Sequence, residues 1–270
     1  MARLVTVSPM TCSAAPPGGR RHPLPSSYDT AALADSPAFY LLLGGSGTEA
    51  SLTGALTATY HNAPGITYLP NGDPASVFDG TSQYVDVPDD DSLSVSATGQ
   101  LTVEAWMRPD TVTFPSTEGT GYVNWLGKIT YGTTNQSEWI ARMYSQGNTE
   151  NRANRISGYA FNAGGGLGAG SYFQDPVRPG EWIHYALVIN TSNTSSTYPT
   201  GYVKIYKNGV LRDQDALADY NITPSNTTSP MRIGTASLKS YFKGSIGKVA
   251  VYDTELPAVR LATHYQAMVK

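Results

Sequence analysis

Residues 181–190 read EWIHYALVIN, and residues 201–211 read GYVKIYKNGVL. Side chains alternate across a strand, so the first segment divides into Trp182, His184, Ala186 and Val188 on one face and Ile183, Tyr185, Leu187 and Ile189 on the other. Both faces are largely apolar, which predicts an inner strand of a sandwich, covered on both sides. In the second segment Val203 and Ile205 oppose Tyr202, Lys204 and Tyr206, and one wet side is expected. Asn208-Gly209 offers two residues that tolerate positive φ, as the centre of a type I′ turn requires, so the chain should fold back into Val210 and Leu211.

Strand signals continue outward from this hairpin. Upstream lie SPAFYLLLG (36–44), VFDGTSQYVDVP (77–88), LTVEAWMRP (101–109), YVNWLGKIT (122–130), EWIARMYS (138–145) and RISGYAFN (155–162); downstream lie SPMRIGT (229–235) and YFKGSIGKVAVYDTEL (241–256). AGGGLGAG (163–170) is expected to be a flexible loop. Helix is expected only at the end, where Pro257 precedes AVRLATHYQAMV with Val259, Ala262, Tyr265 and Met268 on one stripe. Residues 1–34, with AAPPGGRRHPLP at 14–25, should form an extended arm suited to clamping a neighbouring subunit, and residues 35–270 one domain. The expected class is all-β: a two-sheet antiparallel jelly-roll sandwich with that N-terminal arm and a short C-terminal helix.

A chain of 270 residues can bury a sizeable core without staples, and a single cysteine, Cys12, excludes an internal disulfide framework. A formal net charge of −3, with no basic cluster beyond Arg20-Arg21, argues against nucleic-acid binding. No apolar run is long enough to span a membrane as a helix, and MARLVTVSPM does not read as a signal peptide. The five Asn-x-Ser/Thr sequons, at Asn135, Asn190, Asn193, Asn221 and Asn226, are read as coincidence in a chain rich in these residues.

The collinear series from SPAFYLLLG through VFDGTSQYVDVP, LTVEAWMRP, GEWIHYALV, VKIYKNGVL and MRIGT to YFKGSIGKVAVYDTEL, with a closing ATHYQA, resembles the laminin-G-like, concanavalin-A-like jelly-roll family over residues 35–270. The resemblance implies two curved sheets packed face to face, with a face and rim loops that bind glycans or proteins in many members, and calcium at the rim in some. It also implies enzymes to weigh. Hydrolases of this architecture carry alternating acids on one strand, where retaining chemistry needs two carboxylates about 5 Å apart. Here the strand offers Glu104 alone, expected as a sheet-face carboxylate paired with an arginine. A polysaccharide lyase is echoed by Trp182-Ile183-His184 and Tyr241-Phe242-Lys243, with His184 as the one candidate base. The plainer expectation for His184 is a half-buried histidine hydrogen-bonded across the sheet.

Asp89, Asp90 and Asp91 form the one dense acidic run; calcium is conceivable there, but a solvated turn capped by Asp91 or Ser92 is the expectation. Tyr131, Trp139, Tyr144, Tyr159 and Tyr172 lie in or beside polar, Gly/Asn/Ser-rich segments, and rings with a polar handle suit sugar faces or a protein interface. They are the expected ligand-binding residues. The functional expectation is a non-catalytic recognition or structural module for glycan or a protein neighbour. Its expected setting is a virion, as a bacteriophage minor tail or decoration protein; the alternatives are a secreted, extracellular lectin-like domain and a polysaccharide lyase.

Overall fold

The computed structural model describes residues 25–119 and 121–270. Its α-helices are α1 (Ser27–Leu33), α2 (Val95–Thr98) and α3 (Ala258–Val269). Its strands are β1 (Phe39–Leu41), β2 (Thr48–Ala50), β3 (Thr57–His61), β4 (Gly65–Tyr68), β5 (Pro74–Asp79), β6 (Tyr84–Val87), β7 (Gln100–Pro109), β8 (Tyr122–Thr130), β9 (Gln136–Tyr144), β10 (Ile156–Ala160), β11 (Ala169–Phe173), β12 (Ile183–Asn190), β13 (Tyr202–Lys207), β14 (Val210–Ala216), β15 (Met231–Ile233) and β16 (Lys243–Tyr252). One sheet runs β14-β13-β12-β7-β16-β5-β4, with β1 also on β16; the other runs β11-β10-β9-β8-β15-β6-β3-β2. The sheets are antiparallel, as an all-β sandwich of hairpins and crossovers requires.

The two inner faces enclose one apolar core. Leu101, Val103, Ala105 and Met107 of β7 and Tyr185, Leu187 and Ile189 of β12 meet Val123, Trp125, Leu126, Trp139, Ala141 and Met143 of β8 and β9. All eight residues of β12 are buried, as the apolar reading of both its faces anticipates. The turn also follows its sequence: Asn208 and Gly209 have φ of 54° and 76° and join β13 to β14.

The first sheet has a second apolar layer on its far side. Tyr28 and Ala32 of α1 and Leu261 and Met268 of α3 pack with Trp106, Ala186, Val188, Tyr206, Ala250 and Tyr252. This layer corrects several expectations. The face of β13 expected to be wet is covered, with Tyr202 and Tyr206 buried and Lys204 half-exposed, because α3 lies over that sheet. The buried stripe of α3 is Leu261, His264 and Met268, whereas Val259 points to solvent. The last ten residues assigned to the arm are not extended throughout: Ser26 caps α1, accepting from Asp29 N while the Asp29 side chain accepts from Ser26 N. The rest of the expected arm, residues 1–24, lies outside the described residues. The glycine-rich stretch ends in β11 from Ala169, a strand that its glycines concealed.

Candidate functional site

Glu104 and His184 do not face a cleft. They lie side by side on β7 and β12, both fully buried, on the face that α1 and α3 seal. Glu104 Oε1 accepts from the Tyr28 hydroxyl at 2.7 Å and lies 2.6 Å from His184 Nε2; Oε2 lies 2.8 Å from His264 Nδ1. His264 Nε2 is 2.9 Å from Asp35 Oδ2, and Arg260 Nε donates to the same carboxylate at 2.8 Å. Burial works to raise the Glu104 pKa, but the imidazoles of His184 and His264 overrule it and hold the carboxyl well below its usual range. Burial likewise works to lower the His264 pKa, and the carboxylates of Glu104 and Asp35 raise it instead. Glu104 therefore pairs with histidines and tyrosine rather than the expected arginine, and His184 is fully buried rather than half-buried. Both are sealed from solvent and form a polar bolt between sheet and helices.

The acidic run also resolves into separate tasks. Asp90, rather than the expected Asp91 or Ser92, caps the turn through Ser92 N, Asp89 Oδ1 meets Lys128 Nζ at 2.6 Å, and Asp91 accepts from Asn226. The three carboxylates do not converge, and among the described residues no group of three or more His, Cys, Asp or Glu is arranged to hold a metal ion.

Concave surface with convergent chemistry lies on the outer face of the second sheet. A cleft of about 570 Å³ is lined by Arg142, Tyr144, Arg152, Arg155, Tyr159, Phe161, the glycines at 166, 168 and 170, Leu167, Tyr172, Asp215, Asp219 and Tyr220. The sequence builds it by period two: Trp139, Ala141 and Met143 enter the core, so Ile140, Arg142 and Tyr144 face outward from β9. Tyr159 stands opposite Ile140 on β10, and Gly170 stands opposite Tyr159 on β11. A Cβ at Gly170 would lie 2.2 Å from the Tyr159 ring, and one at Gly168 would lie 2.6 Å from Phe161 Cε1. Glycine at these two positions lets both rings lie flat against the edge strand.

Arg142 organises the polar side of the cleft. Its Nε donates to Asn124 Oδ1 at 2.8 Å, its Nη1 donates to the Tyr144 hydroxyl at 3.1 Å, and its guanidinium sits 4.1 Å from the Tyr122 ring centre and 4.9 Å from that of Tyr159. Arg152 Nη1 donates to the same Tyr144 oxygen at 3.0 Å, and the Tyr144 and Tyr159 hydroxyls are 3.2 Å apart. Burial works to raise the Tyr144 pKa, but the charges of Arg142 and Arg152 and the hydrogen bonds with Tyr159 and Arg142 bring it below its ordinary value; Tyr159, buried beside it, is raised. Arg155 lies 3.3 Å from the centre of the Tyr172 ring. At the acidic end, burial and the neighbouring Asp213 push Asp215 up to about 6.

Of the five aromatics expected at a binding surface, Tyr144, Tyr159 and Tyr172 line this one cleft. Tyr131 is half-buried nearby, in a small cluster with Ile129, Ile140, Phe161 and Ala236, under the Lys239 ammonium at 4.6 Å. Trp139 is a correction: it is fully buried in the core, and its indole N–H donates to Leu93 O at 3.0 Å, because its side of β9 points inward. Sequence reasoning missed Arg142, Arg152, Arg155, Asp215 and Asp219. The available signal was the alternation of Arg142 and Tyr144 against Trp139, Ala141 and Met143.

The model of the family described as the concanavalin A-like lectin/glucanases superfamily matches residues 79–262. No curated protein sequence matches the chain significantly. Among solved structures, the receptor binding domain of botulinum neurotoxin type G is similar, with a TM-score of 0.58 at 12% identity over 85% of this chain and 51% of that one. The binding domain of botulinum neurotoxin DC in complex with SialylT gives 0.61 at 13% identity over 87% and 52%. The ligand binding domain of serotype D in complex with N-acetylneuraminic acid gives 0.60 at 12% over 87% and 52%. The chain spans about half the length of these neighbours, and at such identities the likeness is one of fold.

Proposed function

The chain belongs to the concanavalin A-like lectin/glucanases superfamily, and we propose that it is a non-catalytic recognition module that binds glycan in the cleft on the outer face of its second sheet. The observation that carries this reading is the cleft itself: flat tyrosine faces, arginine donors and carboxylate acceptors converge on one concavity of about 570 Å³. Sugars present an apolar ring face and a belt of hydroxyls, and such a surface answers both. Two structural neighbours are recorded with SialylT and with N-acetylneuraminic acid, which agrees with a recognition role.

A non-catalytic reading is favoured because Glu104 and His184, the acid and base that hydrolase or lyase chemistry on this architecture would recruit, are sealed beneath α1 and α3. The test is a glycan array followed by titration calorimetry with Tyr172→Ala. Tyr172 is 38% exposed, so the variant should fold, and binding should weaken about tenfold, the equivalent of about 1.4 kcal/mol and the upper end of what an aromatic contact contributes. Undiminished binding would move the site elsewhere. Appearance of new reducing or unsaturated sugar ends would make the protein an enzyme.

A further inference from the structure

We propose that the cleft selects an acidic sugar, a pyranose bearing an oxyanion such as a carboxylate or sulfate, seated with its charge against Arg152 and Arg155 and its ring beside Tyr172. This rests on the glycan-binding reading above and adds to it the class of ligand.

Three arginines, at 142, 152 and 155, come from β9 and the loop that leads into β10, and all line the cleft of a chain whose formal net charge is −3. Their counter-ions are few. Among the described residues Arg142 and Arg155 form no ion pair with a carboxylate, and Arg152 has only Glu150, at 3.0 Å, where both side chains are over a third exposed. The cleft's own carboxylates, Asp215 and Asp219, pair with none of the three. Arg155 Nε is buried and without a hydrogen-bond partner among the described residues, a donor that folding has desolvated and left unused. Such a group is costly unless a ligand completes it, and guanidinium donors match carboxylate and sulfate oxygens in a forked geometry.

Ring geometry favours a sugar over an acidic peptide. Gly168 and Gly170 hold Phe161 and Tyr159 flat against β11, and Arg155 stacks on Tyr172 while leaving that ring partly open. The floor is thus aromatic, with Tyr159 and Phe161 tilted 33° to each other, beside a cationic wall, the arrangement that accepts a charged pyranose edge-on to arginine and face-on to tyrosine. The acidic end at Asp215 and Asp219 supplies acceptors for the hydroxyls of the same ligand.

The experiment is titration of the full chain with four probes: an oligouronate, a sulfated oligosaccharide, a neutral oligosaccharide of equal length, and polyglutamate. The expected result is binding of the uronate or the sulfated probe at least tenfold tighter than the neutral one, with whichever acidic arm binds naming the oxyanion. Arg155→Gln and Arg152→Gln should each remove that preference while leaving residual neutral binding, and Arg152 is exposed enough that its variant should fold even if that of Arg155 does not. Equal affinity for neutral and acidic sugars, or a preference that survives both substitutions, overturns the acidic assignment and leaves the glycan reading standing. Binding of polyglutamate in preference to every sugar overturns both.

Discussion

Glu104 shows how much a single residue can depend on what covers it. Its carboxylate takes a tyrosine and two histidines, and removing the charge would leave His184 and His264 buried without it. Glu104→Gln should therefore destabilise the protein by about 3 kcal/mol, measurable by urea denaturation. The pH dependence follows from the same contacts. The lowered carboxyl contributes stability that is present above its ordinary 4.5 and is lost as pH falls below it. The raised His264 contributes stability that is complete below its ordinary 6.5 and is lost as pH rises through its folded value. The contribution of this pair should peak between about pH 4.5 and 6.5, and Glu104→Gln should flatten that peak. Asp215 has the opposite sign: it keeps its proton to about 6 in the folded chain and to about 3.8 unfolded, so the fold loses stability as pH rises between these values. Asp215→Asn should raise the melting temperature at pH 7.5 and leave it unchanged below pH 3.8.

At the scale of elements, the β13-β14 hairpin and α3 are coupled through one glycine. Gly209 has φ of 76°, and a Cβ there would lie 2.7 Å from the Ala262 Cα in α3. Both the left-handed backbone and the helix contact exclude a side chain, so Gly209→Ala should cost about 2 kcal/mol by denaturation, more than a turn substitution on an open hairpin would. The Asn-Gly turn was legible from its two residues because φ preference is local. The helix behind it was not, since nothing in residues 201–211 records what packs against them. The same limit explains α1. Its capping box, Ser26 with Asp29, is present in the sequence but follows a proline-rich run, and its burial depends on Trp106 and Tyr252, some eighty and more residues away.

Across the whole molecule, the two sheets have different fates on their outer faces. One carries α1 and α3, and the other holds the cleft lined by arginines and tyrosines. Removing residues 257–270 should expose Trp106, Tyr206 and Tyr252 together, a loss of several kcal/mol of apolar burial. The truncated chain should bind a hydrophobic dye and melt well below the intact protein; unchanged dye binding and melting would mean that α3 does not hold the layer together.

The sequence by itself determined what depends on near neighbours: period-two strands, the positive-φ turn at Asn208-Gly209, the terminal helix and the two-sheet sandwich. Burial on β12 was readable because both faces of that strand are apolar. Tertiary structure alone decided which face of each sheet would be covered, and with it the parts played by the candidate residues. Glu104 and Trp139 are an acid and an aromatic on regular strands, as Arg142 and Tyr144 are a base and an aromatic on one of the same strands. A strand's alternation assigns side chains to two faces without saying which meets the core, a helix or solvent. That choice is made by segments far away in the chain, and it put Glu104 under helices and Arg142 in the wall of a cleft whose exposed ring is Tyr172.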